Sequence, residues 1–228
     1  MTKRIVNGKM VGQHYAEMTH LDRILDAYQQ QAESYYKAKN ALENAPPDVR
    51  EQRAAEVKSI KAGLEHQRLQ ALALADAEAQ LVEYRDRARA SKASELQKEE
   101  HHPTDTLEFL MLAAHKPKPD SRSTAHHIVP GKGKHRINYQ TRVHLHVNSI
   151  GINDPDNGVY LPQKKAHTPH WNMPESLGHK QYHTHGYEIF INRKLTMKPN
   201  EQAIRTELKL IGLMLQQNNL PPEARKKS

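Results

Sequence analysis

The stretch "TAHHIVPGKG", residues 124–133, decides how the second half of this chain can fold. Its β-branched residues predict a short strand that ends at Pro130. Neighbouring side chains of a strand point to opposite faces, so the adjacent His126 and His127 cannot enter the same core. A fold that uses both rings needs a partner on each side of the strand, or a twist that brings both rings to one site.

The composition of the 228-residue chain excludes several classes of protein. The mean hydropathy is −0.89, and no apolar run approaches the roughly 20 residues that span a bilayer. The first residues lack the apolar segment of a secretory signal, so we expect a protein that is cytoplasmic in the cell that makes it. There is no cysteine, which excludes disulfides, thiolate zinc sites and cysteine nucleophiles. A metal site in this chain must therefore use His, Asp, Glu or Asn.

The charge is concentrated in the second half of the chain. Residues 1–100 carry 16 basic and 16 acidic side chains, whereas residues 101–228 carry 18 basic and 10 acidic ones and so hold the whole net charge of +8. Ten of the 16 histidines lie between His126 and His185. A basic, histidine-rich half indicates a polyanionic partner, most often a nucleic acid, although a solvated basic surface would have the same composition.

The first half reads as two long helices. Apolar residues recur at helical spacing over residues 15–42 and again over residues 51–96, and Pro46 and Pro47 interrupt the pattern. This pattern predicts an antiparallel helical hairpin, and we assign residues 1–103 to it. No chemistry is visible in the hairpin, and its expected use is docking, oligomerisation or delivery. His101 and His102, which lie at its end, are expected to be solvated.

The second half, residues 104–228, mixes helices with two short strands. Residues 107–114 predict a short apolar helix, and "GVYLP" (residues 158–162) predicts a second strand after a turn. A helix is predicted within residues 179–195, with Thr184 as its cap, and a last amphipathic helix begins after Asn200. The tail from residue 218 is expected to be frayed. The fold class is therefore α+β and mainly helical.

The order of these elements and of their histidines resembles the ββα-metal nuclease superfamily, also called HNH or His-Me finger. Within it, the match is to the Ala-His-His (AHH) family, which is best known from bacterial polymorphic toxins and secreted effectors. Each matching segment alone would be weak, but they occur in the family's order over residues 124–195. They are "AHHIVP" (125–130), Arg142 with Leu145, "GI" (151–152), Asp154, "NGVYLP" (157–162), His179, His183, Thr184 and Tyr187.

The resemblance implies a role for each histidine of the pair. His126 is expected to bind a metal ion together with His179 and His183, and His127 is expected to be the general base. These roles agree with the chemistry of phosphodiester cleavage, which needs charge neutralisation and a base that takes a proton from water. A free imidazole can be that base, because it titrates near neutral pH. His179 and His183 would share a face if they lay on one helix. Asn157 takes the family's central position, where it would fix the base strand, and an Asn-Gly turn is the alternative reading.

Basic residues around these motifs are candidates for phosphate contacts, which give affinity without sequence preference. They are Lys132, Lys134, Arg136, Arg142, Lys164 and Lys165, with His170 and His185 as further candidates. No helix suited to reading the major groove is visible in the sequence. We therefore expect cleavage with little sequence specificity.

The resemblance thus implies a metal-dependent DNA endonuclease, an antibacterial toxin with a cognate immunity protein, exported by a specialised secretion machinery that reads the N-terminal helices. The cofactor would be one divalent ion, with Mg²⁺ and Zn²⁺ the first to test and Mn²⁺ or Ni²⁺ as further candidates. Two alternatives stay open at this stage. One is RNA cleavage in the same site, and the other is a non-catalytic nucleic-acid-binding module with a structural zinc, which would have four protein ligands and no open position.

Overall fold

The computed structural model of the chain describes residues 3–6, 9–12, 16, 18–133 and 135–226. The chain divides into two compact units, Met1–Asp76 and Ala77–Ser228. The described residues form an α+β fold that is mainly helical, as the sequence predicts. Within this part of the chain, no helix is both long and apolar enough to cross a lipid bilayer.

The first unit contains one of two long helices and the first part of the other. Strands β1 (Lys3–Val6) and β2 (Lys9–Gly12) pair antiparallel ahead of them. Helix α1 (His20–Glu43) begins at Thr19, whose hydroxyl accepts a hydrogen bond from the Asp22 N–H at 3.1 Å. Helix α2 (Arg50–Ala90) begins after the Pro-Pro turn and continues into the second unit. No residue of α1 is buried, so this helix contributes little to a core.

The second unit combines helices with one two-stranded sheet. Its elements after α2 are α3 (Ala93–Leu96), α4 (Asp105–Ala113), β3 (Ser123–His127), α5 (Arg136–Val147), β4 (Gly158–Pro162), α6 (His185–Thr196) and α7 (Glu201–Gln216). Short 3-10 turns occupy Pro155–Asn157, Lys165–His167, His179–Tyr182 and Pro222–Arg225. Strands β3 and β4 pair antiparallel, and His127 at the end of β3 lies opposite Gly158 at the start of β4.

The core of this unit lies between the sheet and the last two helices. Tyr187 and Ile191 of α6, Leu208 and Ile211 of α7, and Leu161 of β4 are each no more than 1% exposed. Asn200 caps α7 as predicted, since its Oδ1 accepts a hydrogen bond from the Ala203 N–H at 3.0 Å. This core holds the end of β3, which carries the histidine pair, against the start of α6.

Helix α5 lies where the sequence analysis assigns no helix. Its buried face consists of Asn138, Thr141, Leu145 and His146. Only one of these four is apolar, so the helix has no hydrophobic stripe for a periodicity search to detect. Side-chain hydrogen bonds replace apolar contacts there, because the Asn138 Nδ2 donates to the Pro130 carbonyl at 2.9 Å.

The expectation that His179 and His183 share a face of one helix is wrong. His179 lies in the 3-10 turn His179–Tyr182, and His183 follows it, before α6 begins at His185. The physical reason is the cap at Thr184, whose hydroxyl accepts a hydrogen bond from the Tyr187 N–H at 3.1 Å and so sets the helix start after both histidines. A turn, and not an α-helix, therefore places the two rings.

The tail is ordered as far as it is described, contrary to the expectation of fraying. Leu220 and Ala224 are buried in the core of the second unit. The Thr184 hydroxyl donates to the Ala224 carbonyl at 2.8 Å, and the Gly186 N–H donates to the Lys226 carbonyl at 3.1 Å. The tail therefore supports the start of α6.

The second compact unit begins earlier than the predicted nuclease domain. The Tyr84 hydroxyl donates to Glu99 at 2.9 Å, and Arg85 donates to the buried Asp154 at 3.3 Å. Residues 77–104 thus pack with the sheet and its flanking turns. The predicted boundary between a helical module of residues 1–103 and a nuclease domain of residues 104–228 stays a prediction.

Candidate active site

His126 and His127 line one cleft of about 280 Å³, although their rings have different neighbours. Both side chains are buried, at 3% and 6% exposure. Their position at the end of β3 explains how adjacent residues of a strand reach the same space. The cleft opens where the strand ends, with Lys132 on the loop that follows and His179 and His183 on the opposite wall.

His126 faces two other imidazoles. Its ring centroid lies 5.1 Å from that of His183 and 6.4 Å from that of His179, and these two rings are 5.9 Å apart. The Nε2 atom of His126 is buried without a hydrogen-bond partner. Burial, and then the neighbouring His183 and His179, holds the pKa of His126 well below its ordinary value, so the ring is neutral at pH 7. A buried neutral imidazole with an unused nitrogen is suited to binding a cation.

His179 is held by its other ring nitrogen. The Nδ1 atom lies 2.9 Å from the Gln163 carbonyl oxygen, which can only accept, so Nδ1 carries the proton. This leaves Nε2 with a lone pair, the arrangement in which metal-binding histidines are usually oriented. The three predicted ligands therefore fit a divalent ion by their donor type. Their centroid separations show that the rings would have to close further around it.

His127 turns to the other side of the strand, toward Asn153. The Nε2 atom of His127 lies 3.0 Å from Asn153 Oδ1. The Asn153 amide nitrogen donates to Glu99 at 2.8 Å and to the Glu100 carbonyl at 2.6 Å, so Oδ1 is the atom that faces the ring. An oxygen in this position accepts the proton of Nε2–H, and the lone pair is therefore on Nδ1.

The surroundings of His127 keep it neutral. Burial is the main cause that lowers its pKa to about 4, while the hydrogen bond that His127 donates to Asn153 acts in the opposite direction and nearby His101 adds to the lowering. A base must be unprotonated to take a proton from water, and His127 is unprotonated at neutral pH. A lower pKa also makes the ring a weaker base, so its rate contribution depends on how well it is positioned.

The sequence does not predict that three further residues lie beside His127. Asn153 and Glu99 form the hydrogen-bonded chain that orients the ring, and neither lies in a motif that predicts it. His101, expected to be solvated, is buried at 8% exposure with its ring centroid 6.1 Å from that of His127. Burial, followed by the charge of His102, lowers the pKa of His101. The position of His101 and His102 before Pro103, in a histidine-rich chain, is only a weak sequence signal that they lie at the site.

His102 is exposed, in agreement with the expectation, yet it lines the cleft. Its ring centroid lies 6.2 Å from that of His127. The Gly131 backbone packs directly on the His101 ring, so closely that any Cβ at residue 131 would overlap it. The loop after β3 and the segment before α4 are therefore in contact at the site.

Asn157 clamps the backbone on both sides of the strand pair. Its Oδ1 accepts from the Val129 N–H at 2.8 Å, and its Nδ2 donates to the Ile152 carbonyl at 2.9 Å. The residue is fully buried and does not line the cleft. The alternative interpretation of Asn157 and Gly158 as an Asn-Gly turn with positive φ does not apply. Asn157 is not among the described residues with positive φ, and Gly158 has an ordinary φ of −111°. Gly158 packs against Leu107 and Met111 of α4, and a Cβ at this position would make these side chains shift.

Two predicted substrate contacts make hydrogen bonds within the protein. The Arg142 guanidinium donates to the carbonyls of Gly131 and Gln97, the second at 3.0 Å. His170 is buried, and its Nε2 lies 3.1 Å from Asp120 while its Nδ1 accepts from the Asn172 N–H at 3.2 Å. The structure thus gives both side chains a supporting role and does not present them to the cleft.

The other basic candidates differ in their distance from the cleft. Lys132 is exposed and lines it, and Arg136, Lys164 and Lys165 are exposed on nearby segments. Lys134 lies outside the described residues. His185 does not line the cleft and contacts His135 instead, with ring centroids 3.9 Å apart.

A protein-family model matches part of the chain. Residues 107–212 match the model of AHH, a nuclease family of the HNH/ENDO VII superfamily with conserved AHH. No curated protein and no solved structure matches the chain. The matched residues include the sheet, the histidine pair and the turn with His179 and His183, so residues 107–212 of this chain are an AHH-family nuclease domain of the HNH/ENDO VII superfamily.

Proposed function

We propose that the chain is a metal-dependent endonuclease that hydrolyses DNA with little sequence specificity. The observation that carries the proposal is the state of the histidine pair. His127 is neutral, and its Nδ1 is unprotonated, while the unpartnered Nε2 of His126 lies in the same cleft beside two further imidazoles. One ring can accept a proton while the other gives its lone pair to a cation.

A divalent ion held by His126, His179 and His183 would supply charge neutralisation for the phosphate and the leaving oxygen. His127 accepts a proton from the attacking water at Nδ1, and Asn153 holds the ring in the tautomer that leaves this atom free. Lys132 at the rim attracts the phosphate backbone. Asn157 keeps β3 and the turn before β4 in register without touching substrate.

The donor set favours a catalytic ion over a structural zinc. Three imidazoles converge, and no carboxylate lines the cleft among the residues that the structure describes. Three protein ligands leave a coordination position open, as catalytic sites require, whereas structural zinc sites have four. Imidazole donors suit Zn²⁺ or Ni²⁺ better than Mg²⁺, which prefers oxygen ligands. We therefore rank Zn²⁺ before Mg²⁺ for this site.

The direct test is cleavage of plasmid DNA and of a structured RNA by the purified chain, with each metal and with EDTA. His127→Ala should bind the metal as the wild type does and cleave roughly 10²–10⁴-fold more slowly, the usual contribution of a general base. His126→Ala should lose metal binding and cleavage together. If His127→Ala loses the metal while His126→Ala keeps it, the two roles are exchanged. Cleavage of RNA alone would favour the RNase alternative.

The toxin role is part of the proposal and has its own test. The +8 charge of residues 101–228 would suit an acidic immunity protein, and the N-terminal helices would serve a secretion machinery or its adaptor in delivery to target cells. Expression of the wild type in a bacterial cytoplasm should prevent colony formation, and His127→Ala should permit it. Equal growth of both strains, at equal protein levels, would contradict an antibacterial activity.

A further inference from the structure

A second group of metal-binding side chains lies outside the cleft. His135 precedes α5, His185 is the first residue of α6, and Glu188 follows it by one turn. One ligand atom of each lies within 4.8 Å of the other two, and the two imidazole centroids are 3.9 Å apart. No other group of three such residues reaches this spacing among the described residues.

Local structure explains why the three side chains converge. Residues three apart on a helix share a face, so Glu188 lies beside His185. The Thr184 hydroxyl caps α6 and also donates to the Ala224 carbonyl at 2.8 Å, which fixes the rotation of the helix start. Helices α5 and α6 pack together, and His135 thereby meets the first turn of α6. The Nδ1 atom of His185 is buried without a hydrogen-bond partner.

This group is distinct from the cleft described above. None of its three residues lines that cleft. His183 and His185 are only two residues apart, but their rings point in different directions, one toward His126 and the other toward His135. The cap at Thr184 lies between them and separates the turn that serves one group from the helix that serves the other.

We propose that His135, His185 and Glu188 bind a second divalent cation, with Zn²⁺ preferred, that joins α5 to α6. Two imidazoles and a carboxylate are a common zinc ligand set, with water as the fourth ligand. Zinc–ligand bonds of about 2.0–2.2 Å place ligand atoms roughly 3.3 Å apart. The ligand atoms, which lie within 4.8 Å of one another, therefore need to move together by no more than about 1.5 Å. The positive helix starts disfavour a cation, and the Glu188 carboxylate offsets this because it is only 9% exposed. This inference is independent of the proposed nuclease activity.

The test is titration of the chelator-treated full chain with Zn²⁺. Calorimetry gives the number of bound equivalents, and thermal unfolding gives the change in Tm. Cobalt(II) serves as a spectroscopic probe of the same ligands. His135→Ala and Glu188→Gln should each bind one equivalent fewer than the wild type and show a smaller zinc-dependent rise in Tm, since only the ion at the other site remains. His126→Ala should keep this equivalent. His144→Ala, which alters another half-buried histidine of α5, is the matched control and should behave as the wild type.

Two results would overturn the proposal. One is an unchanged stoichiometry in both His135→Ala and Glu188→Gln, and the other is the loss of every bound equivalent in His126→Ala. Glu188→Gln keeps the size of a buried side chain, and His135 lies half-buried at the helix start, so both variants should fold. Their Tm in EDTA, compared with that of the wild type, checks this directly.

Discussion

At the scale of single residues, one hydrogen bond determines which nitrogen of His127 can accept a proton. The Asn153 oxygen takes the proton of Nε2, and Glu99 and the Glu100 carbonyl determine which way the Asn153 amide points. A half-buried carboxylate thus orients an amide, and the amide orients a ring. Asn153 and Glu99 are positioning residues, because neither lines the cleft.

Asn153→Ala should reduce the rate of cleavage roughly 10–100-fold, the usual effect of removing an outer hydrogen-bond partner. The physical reason is that the freed ring can adopt the tautomer with Nδ1 protonated. Metal affinity should be unchanged, because His126 is not touched. The measurement is kcat and KM on plasmid DNA together with metal titration. Asn148→Ala at the end of α5 is the control, and equal effects of both changes would contradict a specific role for Asn153.

The histidine pair could be predicted from the sequence, whereas its partners could not. Adjacent His126 and His127 in a β-branched run are visible without any structure, and their separate environments follow from strand geometry. Asn153 and Glu99 are 54 residues apart and meet only in the folded chain. Polar pairs of this kind leave no periodic pattern in the sequence.

At the scale of elements, helices inside and outside the family match both supply residues that support the site. Arg85 of α2 donates to Asp154 at 3.3 Å, and Arg205 of α7 donates to the same carboxylate at 2.8 Å. Burial alone would raise the pKa of Asp154, but the two guanidinium groups more than offset it and hold that pKa below its usual range. This ion group fixes the turn before β4, where Asn157 lies.

Fragments 77–228 and 105–228 should therefore differ. The longer one should cleave DNA as fast as the full chain, because it keeps the whole second unit. The shorter one lacks Arg85 and Glu99, so we expect a lower Tm and slower cleavage, since removing one partner of a buried ion group is strongly destabilising. Thermal unfolding and plasmid cleavage of both fragments are the measurements. Equal values would place the functional boundary near residue 104.

Helices and strands with an apolar buried face could be predicted from the sequence, whereas a helix with a mainly polar buried face could not. Helices α4, α6 and α7 and strands β3 and β4 follow from apolar spacing, caps and turns. Helix α5 buries Asn138, Thr141 and His146, whose hydrogen bonds appear only after folding. The positions of His179 and His183 depend on a 3-10 turn, which has no sequence period of its own at this length.

At the scale of the whole molecule, the basic second half should bind DNA through phosphates. Lys164→Ala with Lys165→Ala should reduce the slope of log affinity against log salt by about one unit for each lost contact. Binding should weaken equally on unrelated duplexes. The measurement uses His127→Ala as the background, so that the DNA stays intact. Lys37→Ala with Lys39→Ala, an exposed pair of equal charge in α1, is the control and should leave the slope unchanged.

The stability of the metal-free chain should fall as the pH decreases below about 6.5, the ordinary pKa of histidine. Burial holds the pKa of His146 below that value, so between the two pKa values the unfolded chain binds a proton that the folded chain does not. Acid therefore favours unfolding. Urea unfolding from pH 8 to pH 5 in EDTA gives the free energy of unfolding. His146→Gln should make its pH dependence shallower without abolishing it, because the pKa values of His126 and His127 are lowered as well. A free energy that rises toward pH 5 would contradict this assignment.

The bond between Thr184 and the Ala224 carbonyl has a consequence for protein engineering. The family match ends at residue 212, yet the start of α6 is held by residues beyond it, and Gly186 contacts Lys226 in the same way. A chimera that transplants only residues 107–212 onto another carrier would leave the helix start, and with it the turn that carries His179 and His183, without support on one side. Donor segments for such grafts should therefore run through residue 226.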